Sequence, residues 1–179
     1  VKGPFDNATN KVLSVGLEKK ISVRLGSGLE VLTLEDNIGT ITICGMGGIL
    51  IADILKEGLS KANLPVSARL VLQPNNAEDI LRDFLRMNHY NIITEAIIEE
   101  NNKFYEIIVA EHNLEDFDYT ETELIFGPFL VQEKPSLFLK KWTKELALQE
   151  DILEKLKNSN DSDKVKKTED KIRLIKEVL

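Results

Sequence analysis

The sequence is poor in the residues that build cross-linked or metal-centred proteins. Its single cysteine, Cys44, excludes an internal disulfide framework and a cysteine-rich zinc site. Two histidines, His89 and His112, leave little for a histidine-based centre, so no metal is expected. No apolar run approaches the ~20 residues needed to span a bilayer. No segment has the basic, apolar and small-residue order of a signal peptide. No membrane role is expected, and the expected location is cytoplasmic. Methionine is scarce too: Met46 and Met87 are the only two, and the chain begins with Val1.

What is present is a globular composition. Of 179 residues, 42% are hydrophobic and 30% charged, which sets the chain apart from disordered sequences. The length suits one domain, or one domain with a small appendage. The net charge of −7 argues against nonspecific nucleic-acid binding by the whole surface. The charge is unevenly spread, however. Residues from 134 onward are basic on balance, and everything before them is strongly acidic. The C-terminal part is the more suitable contact for a polyanion, with a mixed-charge solvated face as the alternative.

The apolar spacing supplies the elements. Phe5, Ala8, Val12 and Val15 share one helical face over 4–15, closed by Gly16. Ile21 to Leu25 reads as a short strand, and Gly26-Ser27-Gly28 as a turn. Leu29 to Leu34 reads as one helical turn. Thr40 to Cys44 is a β-branched run with the look of a buried strand. A helix follows on Ile49, Ala52 and Leu55, with Gly58 as its stop. Residues 69–73 form another strand, and Asn75 and Asn76 are candidate caps for a helix whose face is Ala77, Ile80, Leu81, Phe84 and Leu85. Tyr90–Glu99 and Phe104–Glu111 are strand-like, joined by Glu100-Asn101-Asn102-Lys103, which is hairpin chemistry. Alternating helices and strands imply a parallel sheet with helices on its faces. The closing hairpin adds one antiparallel strand at or near an edge. Residues 112–131 read as a connector. Leu139, Trp142, Leu146, Gln149, Leu153 and Leu156, then Val165, Thr168, Ile172, Ile175 and Leu179, carry heptad spacing on either side of a polar turn at Asn158–Asp163. This predicts an antiparallel helical hairpin. The expected division is 1–115 for the α/β domain and 116–179 for the connector and helical domain.

Three polar loops fall at successive strand ends, where open parallel sheets bind ligands. Cys44-Gly45-Met46-Gly47-Gly48 lets a ligand approach the backbone closely, or serves only as a tight strand-to-helix turn. Leu50 stands where a dinucleotide fingerprint needs a small residue, so a nicotinamide site is discounted. Cys44 reads as a small buried residue rather than a nucleophile. Gly26-Ser27-Gly28 is the second loop, or a plain turn. Gln73-Pro74-Asn75-Asn76 is the third, or a cap. Alternation buries one of Tyr105 and Glu106, and a buried Glu needs a partner; an edge pair facing water is the alternative. The histidines read as exposed turn residues. Phe138 and Trp142 read as packing residues, with base stacking the alternative.

These segments resemble a known family. Ile41-Thr42-Ile43-Cys44-Gly45-Met46-Gly47-Gly48, Leu70-Val71-Leu72-Gln73-Pro74-Asn75, Phe104-Tyr105-Glu106-Ile107 and Phe126-Gly127-Pro128 resemble the bacterial tRNA (adenine-22-N1)-methyltransferases. The opening Val1-Lys2-Gly3-Pro4 is similar too. The resemblance implies a Rossmann-like, S-adenosylmethionine-dependent methyltransferase sheet with a C-terminal coiled-coil-like domain. It implies that Gly26, Ser27, Gly28 and Leu29 lie beside the cofactor, with Cys44 and Gly45. Cys44, Gly45, Met46, Gly47 and Gly48 would meet the target base and the methyl group. Gln73, Pro74, Asn75 and Tyr105 would contact substrate, and Lys140, Lys141 and Lys144 on the helical tail would hold tRNA. No protein partner is implied. The family's first strand, acidic cofactor loop, first helix and second strand have no counterpart here, roughly 40–50 residues on the size of such units. The chain therefore reads as an N-terminally truncated sheet, the C-terminal three-quarters of such an enzyme. The alternatives are a non-catalytic RNA-binding or interaction module with a decayed core, or a same-fold methyltransferase acting on another substrate.

Overall fold

The structure is a computed structural model and describes residues 2–115, 117–156 and 161–179. Helix α1 (Lys2–Ser14) opens it. Gly16, at φ +68°, ends that helix with Gly16 N–H donating to Leu13 O and Leu17 N–H to Val12 O, a paired closure that needs a left-handed residue. No residue of α1 is buried. Four strands follow: β1 (Thr40–Met46), β2 (Arg69–Pro74), β3 (Tyr90–Glu100) and β4 (Lys103–His112). Their order is β1-β2-β4-β3. β1 and β2 run parallel, and β4 runs antiparallel to both its neighbours. One antiparallel strand therefore sits next to an edge, as the hairpin chemistry requires. Asn101 and Asn102 both have positive φ, which gives the two-residue turn a twist matching its strands.

The expected strand at Ile21–Leu25 does not form. That segment has no ladder partner among the described residues, and a strand exists only through its pairing. The expected helical turn at Leu29–Leu34 is shorter, closed by Leu32 N–H donating to Leu29 O at 3.1 Å, and a separate 3-10 turn follows at Leu34–Asp36. In β1, Ile41 and Ile43 are buried while Thr40, Thr42 and Cys44 are exposed. The run is thus half-buried, and Cys44 lies on its open face, contrary to the buried role expected for it.

Helix α2 (Gly48–Ser60) buries Ile51, Ala52 and Leu55 and exposes Ile49. Gly58 does not stop it. A Cβ there would stand 2.6 Å from Leu29 Cδ1, so the glycine admits Leu29 onto the helix. Helix α3 (Glu78–Met87) buries Leu81, Arg82 and Leu85. Its N-cap is Ala77 in the left-handed region, without a side-chain cap bond; Asn75 and Asn76 are turned to other work. These two helices and the strands enclose the first apolar cluster, centred on Leu55, Leu70, Leu72, Leu81 and Ile108.

The expected connector holds two short helices, α4 (Glu121–Phe126) and α5 (Pro128–Glu133); Asp116 lies outside the described residues. Thr120 caps α4 by accepting Glu123 N–H, and Glu123 closes the reciprocal bond. Helices α6 (Ser136–Leu156) and α7 (Ser162–Val178) pack on each other, tied by Lys171–Glu145 at 2.6 Å and Lys176–Glu150 at 2.7 Å. Asn158, Ser159 and Asn160 of the polar turn lie outside the described residues. On α7 the buried stripe is Thr168, Ile172, Ile175 and Val178. On α6 the buried residues are Phe138 and Trp142, with Leu139 exposed. A second apolar cluster joins Phe126, Leu130, Phe138, Trp142 and Ile175 to Ile97 of β3. Phe138 and Trp142 are therefore packing residues.

One charged network ties the two clusters together. Arg82 of α3 is fully buried. Its Nε donates to Glu95 Oε1 at 2.8 Å, and Nη2 donates to Glu106 Oε2. Nη1 donates to the Leu124 and Ile125 carbonyls that end α4. Glu95 Oε2 accepts Phe129 N–H at 3.0 Å. Glu106 Oε1 accepts from Lys141 Nζ at 2.7 Å. Thus Glu106 is the buried member of the Tyr105-Glu106 pair, and it has two partners. Gly127, at φ +89°, lies against this network: a Cβ would stand 2.5 Å from Glu95 Oε2 and 2.8 Å from Arg82 Nη2. The Phe126-Gly127-Pro128 segment is the backbone lining of an ion pair.

Burial pushes the Glu95 carboxyl up, against the pull of Arg82. Burial acts on Glu106 in the same sense, but Arg82 and Lys141 outweigh it and hold that carboxyl below its ordinary value. The two have opposite consequences for stability. Ionised Glu106 contributes stability that is present above its unfolded value, about 4.3, and is lost as pH falls through its folded value. Glu95 binds its proton more readily folded than unfolded, so its contribution weakens as pH rises through its raised value. Removing one partner of a buried pair costs about 3–5 kcal/mol. Glu106→Gln is expected to lose about that much at neutral pH, with the gap from wild type narrowing below pH 4 and Glu95→Gln losing less. Denaturant titrations at the two pH values check this. Gly127→Ala is expected to cost about 2 kcal/mol or more from strain and contact, read by the same titrations.

Candidate active site

Gly45, the last residue but one of β1, has φ +76°, a conformation that strongly favours glycine. The register with β2 shifts at this point, between Cys44 and Met46. The turn is fixed from the neighbouring strand end. Gly45 N–H donates to Gln73 Oε1 at 2.9 Å. Gln73 Nε2 in turn donates to Pro74 O at 2.8 Å and to Asn75 Oδ1 at 3.1 Å. Asn75 N–H donates to Met46 O at 2.7 Å, and Gly48 N–H to Asn76 O at 2.8 Å. Gly48 is required by contact: a Cβ would stand 2.2 Å from Ala77 O. A Cβ on Gly47 would stand 2.9 Å from Asn76 Oδ1. Two of the three polar loops are thus one hydrogen-bonded unit. Gln73 spends its amide inside that unit, so it holds the glycine turn rather than facing solvent.

The third loop stands apart from this unit. Gly28, at φ +51°, packs on Ile54 of α2, and Leu29 is buried against Gly58. Ser27 N–H donates to Glu30 Oε1 at 2.6 Å. Gly26, Ser27 and Gly28 are exposed, so this segment offers backbone and the serine hydroxyl, while the Leu29 side chain belongs to the core.

A cleft of about 720 Å³ opens beside the glycine unit. Asn75 and Asn76 form one wall, Lys103 and Tyr105 of the β3–β4 hairpin a second, and Lys144 and Leu148 of α6 a third. The three expected tail lysines part company here. Lys140 turns away to Glu99, at 2.7 Å. Lys141 lines the cleft but bridges Glu106 and Glu78, at 2.7 and 3.3 Å. Lys144 lines the cleft with no carboxylate partner among the described residues. Sequence reasoning missed Arg82, Lys103 and the role of Gly127. The signal for Arg82 was available: a charge between Leu81 and Leu85 on a buried stripe demands a carboxylate, and Glu106 was already in want of a cation. Among the described residues no cluster of His, Cys, Asp and Glu suits a metal ion, and no helix is long and apolar enough to cross a membrane.

The sequence profile of the family described as "TrmK: tRNA (adenine(22)-N(1))-methyltransferase" matches residues 1–177. The Bacillus subtilis tRNA (adenine(22)-N(1))-methyltransferase is 42% identical over 99% of this chain and 76% of its own length. A Streptococcus pneumoniae protein crystallised in complex with S-adenosyl-L-methionine is 44% identical, with a TM-score of 0.87 over 100% of this chain and 78% of its own. M. capricolum TrmK in complex with S-adenosyl-homocysteine is 26% identical, with a TM-score of 0.81 over 99% of this chain and 76% of its own. This chain belongs to the tRNA (adenine(22)-N(1))-methyltransferase family.

Proposed function

We propose that the chain methylates N1 of adenine 22 in tRNA, using S-adenosylmethionine, in the cytoplasm where tRNA is available. The observation that carries this reading is the glycine turn at Gly45–Gly48, locked to Gln73–Asn76 at the rim of a partly basic cleft, in a member of this family. No feature of the site favours a non-catalytic module or another substrate.

The loops fit the cofactor. A Cβ at Gly45 would meet nothing within 4 Å, so the turn faces open space. Cys44 beside it is exposed, as is the backbone of Gly26–Gly28. Gly26, Ser27, Gly28 and the backbone of Leu29 would hold the adenosine end, and Cys44 and Gly45 the reactive end. When bound, S-adenosylmethionine supplies a sulfonium methyl that adenine N1 attacks in line, the N–C bond forming as C–S breaks and S-adenosylhomocysteine leaves.

The protein's part in this is positional. The N1 lone pair exists before reaction, so no strong base is needed, and orientation dominates. Paired adenine hides N1, so the base leaves its stack to react. Cys44, Gly45 and Met46, all exposed, then form the surface that meets the base, with Gly47 beside them and Gly48 buried behind as the packing point of the turn, and backbone carbonyls near Cys44 and Gly45 accept from its exocyclic amine. Gln73 acts through Gly45 as a positioning residue, Asn75 completes the rim while Pro74, buried at the end of β2, does not reach it, and Tyr105 and Lys144 contact RNA in the cleft. Lys141 serves mainly as the tether that fixes α6 to β4 and α3, and Lys140 contacts RNA only on releasing Glu99.

The test is methylation of unmodified tRNA by the full-length protein, with the modified base located. Methylation at N1 of adenine 22 is expected, and an unchanged rate on tRNA lacking that adenine would sink the assignment. Gly45→Val is expected to abolish transfer while costing only about 1–2 kcal/mol of stability, checked by turnover beside a thermal melt. Gln73→Ala is expected to lower kcat by about 10²-fold, the scale of a 1 Å misplacement, with a smaller effect on KM for tRNA.

A further inference from the structure

The cleft holds more than the rim of a methyl-transfer site needs. Its four lysines divide into two classes. Lys141 is neutralised by Glu106 and Glu78, and Lys171 by Glu145. Lys103 and Lys144 have no carboxylate partner among the described residues. They stand on different elements, the β3–β4 hairpin and α6, and line the same cleft. Tyr105 lines it too. It is half-buried, belongs to neither apolar cluster, and its hydroxyl has no hydrogen-bond partner among the described residues. An aromatic ring with no packing role, beside two free ammonium groups, is the combination that holds an unpaired nucleotide: the ring takes the base and the cations take the backbone. The volume, about 720 Å³, is in the upper range of ligand sites.

We propose that this cleft is a second nucleotide subsite, in which the base next to the methylated adenine stacks on Tyr105 and its phosphates are held by Lys103 and Lys144. This rests on the proposed reaction at the adjoining glycine turn. It also assigns the subsite a purpose. Extruding one adenine unstacks its neighbour, and a stack on Tyr105 replaces the lost contact. The enzyme would then select tRNA in which that adenine and its neighbour can leave the helix together.

The test is tRNA binding by the full-length protein, read without turnover, with abasic nucleotides placed in turn on the two sides of the target adenine. Tyr105→Ala is expected to weaken tRNA binding about tenfold, within the range for loss of one base stack, and Tyr105→Phe to recover most of that loss. At one of the two sides the abasic tRNA should weaken wild-type binding to a similar extent, and Tyr105→Ala should then add nothing. Lys144→Ala should reduce the slope of log affinity against log salt by about one, as for a lost phosphate contact, whereas Lys166→Ala, outside the cleft, should leave it unchanged. Full additivity of Tyr105→Ala with the abasic change at both sides overturns the proposal. So does wild-type affinity in Tyr105→Ala, or a Lys166→Ala effect equal to that of Lys144→Ala. Failure of the methylation reading appears separately, as absence of product at adenine N1 in the wild type.

Discussion

The buried Arg82 is the constraint on which the rest of the structure depends. A guanidinium with no exposure is tolerable only when its charge and its donors are answered, because effective desolvation costs several kcal/mol per ion. Glu95 and Glu106 answer the charge, and the carbonyls of Leu124 and Ile125 take the remaining arm. Each partner lies on a different element, so satisfying one side chain fixes α3, β3, β4 and the end of α4 together. Glu106 extends the chain of contacts to Lys141 and hence to α6. The helical tail is therefore held by paired charge as well as by the apolar cluster under Trp142.

That network also reaches the site. Helix α3 begins just after Asn75-Asn76-Ala77, and this segment carries the carbonyl that receives Gly48 N–H. Fixing α3 at Arg82 thus fixes the wall against which the glycine turn is built. The turn needs such a wall because its own residues have almost no side chains to anchor it. Gly45 and Gly48 are held by hydrogen bonds from the strand end next door, and Gly47 by contact with Asn76. The cations lining the cleft come from the hairpin and the tail, while the glycine turn itself carries no charge.

Where the sequence was legible, a local rule had a single outcome. Asn101-Asn102 between alternating strands forms the two-residue turn because both residues tolerate positive φ. Gly16 closes its helix for the same reason. The stripe Thr168, Ile172 and Ile175 is buried as its spacing requires. The three-glycine loop after β1 was recognisable because close backbone approach leaves no substitute for glycine. What was illegible depended on partners remote in sequence. Ile21–Leu25 has strand composition but no neighbour to pair with. Gly58 has the look of a helix stop, and only Leu29 shows that it is a contact. Asn75 and Asn76 are good caps by type, yet Asn75 Oδ1 accepts from Gln73 and the N-cap position of α3 falls one residue later, on Ala77.

The tail lysines carry this argument furthest. Lys140, Lys141 and Lys144 are alike in type and lie within two turns of one helix, and by composition each is an equal candidate for a phosphate. Their partners separate them. Lys140 meets Glu99 at an exposed surface, where a pair is weak and exchangeable. Lys141 meets a fully buried carboxylate that no water can satisfy in its place, so releasing it would strand Glu106. Lys144 meets no carboxylate among the described residues. Of the two that line the cleft, Lys144 is therefore the ammonium open to an anion and Lys141 the one withheld, while Lys140 faces away from it. Charge that appears as one basic patch in composition is divided by burial into an unpaired cation, an exchangeable surface pair and a structural tie.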